Sequence, residues 1–335
     1  MLNFLSKRVL ISIVAVAAVL FPLVFPNMYV LQLLTLVFIW SIAVYGFNII
    51  SGYVGYLSLA HAGFFAIGAY GLGLLTTKGG LSYWLSLLLA VIITSIAGAL
   101  VGVIALRTKS HFFAIYTMCV GVIVYLLIDK WDSLTGGVRG LIGIPAPGNL
   151  GPITFDTLTS QYYLALFFLS FTIFLCYRIV HSLLGRTFIA IRNSEELAKT
   201  IGISIMKNQL LAFTLSALFA GLSGALYASF IRFIGPQISA ITVTFEMLMY
   251  LLVGGIGTLA GPIVGTLIVI SLTQSLQFLE EYRMLIFGPV VVLLVLYYPR
   301  GITGSINGYL QKKKQQRVKV ANEEHDEKRK VGEAG

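Results

Sequence analysis

Residues 185–208 read GRTFIAIRNSEELAKTIGISIMKN, the longest charged interruption between two strongly apolar halves of the chain. Arg186, Arg192, Glu195, Glu196, Lys199 and Lys207 all fall within it, while the flanking segments carry almost no charge. Ser194 has the side chain of a helix N-cap, and Glu195 and Glu196 follow where the helix dipole favours acids. Gly202 is suited to end such a helix. Glu195 and Lys199 stand four apart in the stabilising order. The helix so framed is about 10 Å long, and one this short is marginal alone in water. It has to lean on its own protein or on a partner. The stretch therefore reads as a docking helix on the cytoplasmic face of a membrane protein, against the plainer alternative of an amphipathic loop lying on the bilayer.

Composition supports the bilayer. Of 335 residues 58% are hydrophobic and 11% charged, with a mean hydropathy of +0.91. Soluble domains carry about 25% charged residues. The apolar runs are long and continuous, not short and alternating, so the class is an all-α integral membrane protein and not a transmembrane barrel. The 34 glycines suit close helix crossings and broken helices. The formal charge of +10 does not point to nucleic acid. Its cations sit at the ends of apolar runs and in the tail, where they orient spans. Cys119 and Cys176 fall inside predicted spans and read as packing residues, not as a disulfide or metal site. Lys7 and Arg8 precede the apolar run 9–25, and no small-residue cleavage site follows, so this run reads as a retained span and not a secretory signal.

A positive-inside reading gives about ten transmembrane helices, some short or broken, with both termini cytoplasmic. The spans are placed near 9–25, 30–50, 56–76, 82–106, 111–128, 161–178, 209–231, 243–258, 261–279 and 284–299. If the short segments are re-entrant, the number falls to about eight or nine. Residues 1–310 read as the membrane-spanning domain, with 185–208 as its cytoplasmic loop. Residues 311–335 read as a disordered, charged cytoplasmic tail. The Gly- and Pro-rich loop between Asp129 and Gln161 falls outside and is long enough to be a binding element. Thr135, Gly136, Gly137 and Gly140 mark its candidate partner-facing part.

Two glycine-rich stretches lie at membrane depth, GYVGYLSLAHAGFFAIGAY (52–70) and GGIGTLAGPIVG (254–265). Irregular backbone survives there only where protein or a water-filled cavity satisfies it, and broken helices often line transport paths. Gly52, Gly55, Ser58, His61, Gly254, Gly255, Gly257 and Pro262 are the candidate path residues, against the alternative that the glycines only permit close crossings. Ser58 is placed to cap the helix that follows, and Pro262 suits the first turn of another. His61 has no acid or second His at ligand spacing. It reads as a structural hydrogen-bond donor or as a substrate contact. No metal set or catalytic cluster is evident. There is no GxxxxGK[ST] loop, so if ATP is used, ATP-Mg binds on another chain.

The segments GYVGYLSLAHAGFFAIGAY, TGGVRGLIGIP, LGRTFIAIRNSEELAKTIGI, LSALFAGLSGALYA, LLVGGIGTLAGPIVG and YPRGITG, in this order, resemble the LivM-type permease of branched-chain amino acid ABC importers. The resemblance covers about residues 30–305. It implies a permease subunit, not an enzyme, in the cytoplasmic (inner) membrane, and a ten-span architecture. It implies as partners a LivH-like second permease, two LivG/LivF-like ABC ATPases and an extracytoplasmic amino-acid-binding protein. ABC importers carry a Glu-Ala-Ala, three residues, Gly pattern that seats in the ATPase. Here it falls on Glu196, Leu197, Ala198 and Gly202, with Leu197 in place of the first alanine. By that resemblance Arg192, Ser194, Glu195, Glu196, Ala198 and Gly202 form the ATPase-docking set. Rival readings are the same class of permease carrying urea, short amides or other amino acids, and a stand-alone channel or secondary carrier.

Overall fold

The computed structural model describes residues 16–25, 27–108, 111–149, 154–275 and 301–305. Residues 16–24 are helical. The Asn27 side chain then caps α1 (Met28–Phe47), accepting from the N–H groups of Tyr29 and Val30. Without a gap, α1 widens into a π-helix over Asn48–Val54 and stops at Gly55, whose φ is 88°. After the non-helical residues 56–60 come α2 (His61–Thr77), α3 (Tyr83–Ala105) and α4 (His111–Lys130). A short α5 (Asp132–Thr135) and a strand β1 (Leu141–Ile142) lie in the long loop before α6 (Leu158–Val180). Next come α7 (Leu183–Asn193), α8 (Glu195–Thr200), α9 (Ile205–Ile231), β2 (Phe233–Ile234), α10 (Ile241–Gly254) and α11 (Gly261–Ser275).

The chain is an all-α, multi-pass membrane protein. Met28–Val54, α3, α4, α6 and α9 are each long and apolar enough to cross a bilayer, and α10 and α11 are shorter apolar helices. The expected spans 9–25 and 284–299 lie partly or wholly outside the described residues, as does the tail 311–335.

Burial separates centre from periphery. In the apolar windows of Met28–Val54 and α9, 78% and 67% of the residues are buried, against 22–28% for α3, α4 and α6. The outer three present Leu88, Ile96, Phe112, Ile123, Phe167 and Phe174 outward, as helices facing acyl chains do. The centre is built from small residues. α9 packs on α1, α2 and α3 through Ala217, Ala220, Gly221, Gly224 and Ala225, all buried. A Cβ on Gly221 would press on Thr94, and one on Gly224 would strike the Phe65 carbonyl. Without a hydrophobic drive between helices in lipid, this close approach supplies the packing attraction. Four buried hydroxyls are satisfied within their own helices. Thr35, Ser41, Thr94 and Thr117 each donate to a carbonyl four residues back.

The two ends of the bundle differ. At one, β1 pairs antiparallel with β2, Leu141 opposite Ile234 and Ile142 opposite Phe233. There Lys78 Nζ also donates to the carbonyls of Ser133 and Leu134 at 2.7 and 2.8 Å. The loops after α2, α4 and α9 thus meet. At the other end α7 and α8 join α6 to α9, so the island of residues 185–208 and the long loop lie at opposite ends.

Three expectations need correction. Ser58 caps nothing: α2 starts at His61, and its Ala62 N–H donates instead to Thr244 Oγ1 of α10 at 3.1 Å. The expected span at 56–76 therefore loses its first residues to irregular backbone. The expected short spans 243–258 and 261–279 are two short helices as read, but the first stops at Gly254, and residues 255–260 form a turn before Gly261. Finally, the charged island holds a second helix, α7, whose buried Phe188 and Ile191 and exposed Arg186 and Arg192 make it amphipathic.

Candidate functional site

The two glycine-rich stretches converge at the same end of the molecule as α7 and α8. Asn48, buried at the start of the π-helix, bridges them. Its Nδ2 donates to the Thr258 carbonyl at 2.9 Å, and its Oδ1 accepts from the Gly257 N–H at 2.8 Å. One turn earlier, Tyr45 donates to the Leu259 carbonyl at 2.7 Å. A side-chain amide that accepts from one backbone N–H and donates to one backbone carbonyl replaces a backbone ladder, which is how unwound backbone is satisfied at membrane depth. The Gly255–Ala260 turn is closed from within by Thr258, which donates to the Gly255 carbonyl and accepts from the Gly261 N–H at the start of α11. Thr303 adds a hydrogen bond to the Gly254 carbonyl. Pro262 occupies the first turn of α11 as expected.

Arg192 closes the junction from the side of the charged island. Its Nη1 donates to the Gly52 carbonyl. A π-helix that ends at Val54 leaves Gly52 without its usual backbone donor, and the guanidinium supplies one. A Cβ at Gly55 would lie 2.7 Å from Arg192 Cγ, and one at Gly257 2.9 Å from Arg192 Nη1. A Cβ at Gly52 would collide with Asn48 Oδ1. These glycines thus make room for Arg192 and Asn48.

The island itself has the expected cap. Ser194 Oγ accepts from the Leu197 N–H at 3.2 Å. Gly202 takes φ 84°, and Ile203 N–H closes back on the Ala198 carbonyl at 3.0 Å. Glu195 does not pair with Lys199. Its Oε1 accepts from Tyr56 Oη at 2.5 Å and from Gln209 Nε2 at 3.1 Å. Ala198 is buried, whereas Leu197 and Ile201 are 66% and 68% exposed. The candidate docking residues therefore divide. Ala198 is buried, Glu195 and the partly exposed Arg192 hydrogen-bond to their own chain, and Glu196, Leu197, Lys199 and Ile201 are exposed.

The remaining candidates are packed. His61 is fully buried, with Nε2 2.9 Å from the Ala43 carbonyl, Nδ1 3.4 Å from Ser216 Oγ, and its ring stacked on Phe47. Gly254 lies against Gly261 and Gly265 of α11. At the other end of the molecule, Thr135 is buried and donates to the Ile128 carbonyl at 2.6 Å. Gly136 and Gly137 take positive φ and Gly140 has φ 71°, each against backbone or Asp132. They shape the loop, and Val138, Arg139 and Ile142 are among the residues it exposes. Asn48 and Gln209 lie outside the quoted motifs, Tyr56 lies in one without a signal of its own, and only the Asn48 amide in an apolar run stands out in the sequence.

Comparison with known proteins follows the geometry. The family described as branched-chain amino acid transport system / permease component matches residues 29–296. The high-affinity branched-chain amino acid transport system permease protein LivM of Escherichia coli K12 is 31% identical over 290 residues, 80% of this chain and 68% of that one. The LivM protein of Salmonella typhimurium is 30% identical over 291 residues, again 80% and 68%. The LivH permease protein of Escherichia coli K12 is 24% identical over 286 residues, 79% of this chain and 91% of that one. No solved structure matches the chain.

Proposed function

The chain belongs to the family of branched-chain amino acid transport permease components, and from that premise we propose that it is the LivM-like permease subunit of an ATP-driven importer of branched-chain amino acids in the cytoplasmic membrane. It binds no nucleotide itself. ATP-Mg belongs to a pair of ABC ATPases on the cytoplasmic side. A second, LivH-like permease completes the membrane part, a reading supported by the likeness of this chain to relatives named both LivM and LivH. An extracytoplasmic amino-acid-binding protein delivers the cargo to the end formed by Val138, Arg139, Ile142 and β2.

The observation that carries the docking role is α8. It is capped at Ser194, stopped at Gly202, and leaves Leu197 and its C-cap Ile201 exposed along with Glu196 and Lys199. An apolar pair rimmed by both charge signs suits a groove on a soluble subunit. Driven by the ATPases, α7 and α8 move as one packed element, and the breaks at 55–60 and 255–260 are where the spans yield to open a path alternately. The Gly52, Gly55, Gly254 and Gly257 backbone supplies dipoles to a passing zwitterion.

The test pairs two readouts. Gly202→Pro demands φ near −65° where the chain has 84°, and Glu196→Lys reverses a charge on the outward face. Both changes together are expected to strip the ATPases from the purified complex and abolish ATP-dependent leucine uptake. Normal uptake by an intact complex overturns the docking role.

A further inference from the structure

We infer that Arg192 and Glu195 form a two-point linkage that ties the docking segment to the break between α1 and α2, and that uptake is coupled to ATP hydrolysis through it. The inference rests on the docking role of α8 and adds the residues that pass its motion on.

The geometry is reciprocal. Ser194, in extended conformation between α7 and α8, is the kink of the docking segment. Arg192 lies two residues before it and Glu195 one after. Gly55, in left-handed conformation, is the kink of the broken span. Gly52 lies three residues before it and Tyr56 one after. Arg192 donates to the Gly52 carbonyl, and Glu195 accepts from Tyr56 Oη. Each kink is thus held to the other on both sides, by charged groups whose hydrogen bonds are the stronger kind. Two bonds fix a direction where one leaves a pivot.

The linkage continues in both directions. Glu195 also accepts from Gln209, which is 2% exposed at the start of α9, so the central helix shares the same carboxylate. The Tyr56 ring meets Phe113 of α4, which meets Phe213 of α9. Arg192 also lies against Gly257, and Asn48 binds residues 257 and 258. One arginine side chain therefore bonds one break and lies beside the other. Leu197 and Ile201 are free for a partner because the polar groups that hold the segment point the other way. A segment that served docking alone needs no carboxylate shared between two spans.

The experiment uses the complete complex with its binding protein, reconstituted in liposomes, and reads labelled leucine taken up per ATP hydrolysed. Tyr56→Phe deletes one hydroxyl and keeps the ring on Phe113. Arg192→Gln shortens the donor out of reach of Gly52. Tyr56→Phe is expected to retain its ATPases and its ATP turnover while uptake per ATP falls, and the double variant is expected to lower uptake per ATP at least fivefold. Glu195→Gln keeps an acceptor for Tyr56 and is expected to retain most of the coupling. An unchanged ratio in the double variant overturns the linkage and leaves the docking role standing, including where its melting temperature drops, since the bonds then only stabilise. Loss of the ATPases from that variant also overturns it, because Arg192 would then be a partner contact. A failed docking role shows separately, as full uptake in the Glu196→Lys, Gly202→Pro variant.

Discussion

Asn48 does for the backbone what a helix can no longer do for itself. Both polar ends of its amide are used on a turn 209 and 210 residues away, and it is 1% exposed. Replacing it with leucine of similar size leaves a Gly257 N–H and a Thr258 carbonyl facing apolar atoms. A buried polar group stripped of its partner costs about 1–3 kcal/mol, so Asn48→Leu is expected to lower the melting temperature in detergent and to speed amide exchange in residues 255–260. Unchanged exchange there shows that the turn holds without Asn48. His61 gives the opposite case. Both its ring nitrogens contact groups of the protein itself. His61→Ala is expected to destabilise the fold yet leave the KM for leucine uptake within about twofold of the parent, well under the tenfold that 1.4 kcal/mol of lost binding represents. A large rise in KM makes His61 a substrate contact instead.

At the scale of elements, local chemistry decides what the sequence reveals. α8 is legible because its cap, its first-turn acids and its terminal glycine are neighbours in the chain. α7 is not, because Phe188 and Ile191 acquire a buried face only when the π-helix and α6 pack on it. The start of α2 is illegible for a related reason. Ser58 looks like a cap, but Thr244 supplies it from α10. Among the site residues, glycine marked the right stretches without saying what approaches them, since Arg192 and Asn48 come from elsewhere. The outward face of α8 carries its own prediction. Leu197→Ser with Ile201→Ser removes apolar area that the isolated subunit exposes, so the purified permease is expected to keep its melting temperature. ATPase retention is expected to fall, because each apolar side chain contributes about 1.5–3 kcal/mol when fully buried by a partner. Ser194→Ala removes a cap worth about 1 kcal/mol and is expected to weaken retention less. Undiminished retention in the double variant means that the ATPase seats elsewhere.

For the whole molecule the question is sidedness, and cations alone proposed the answer. The described helices give it a geometry. α6 spans 23 residues, about 34 Å at 1.5 Å per residue, which exceeds the roughly 30 Å hydrocarbon core. Its two ends therefore face different aqueous phases, the paired strands β1 and β2 on one side and α7 with α8 on the other. The proposed docking role requires α8 on the cytoplasmic side, where ATP is available, and Arg139 on the outer side. Single cysteines test this once Cys119 and Cys176 are replaced by alanine. Arg139 and Lys199 are both exposed, so Arg139→Cys and Lys199→Cys are reachable without unfolding. With a membrane-impermeant maleimide, Arg139→Cys is expected to label in intact cells, and Lys199→Cys only after the membrane is opened. The reverse pattern would turn the molecule over in the bilayer and place Leu197 and Ile201 where no ATP-driven subunit can meet them, leaving Arg192 and Glu195 with nothing to transmit.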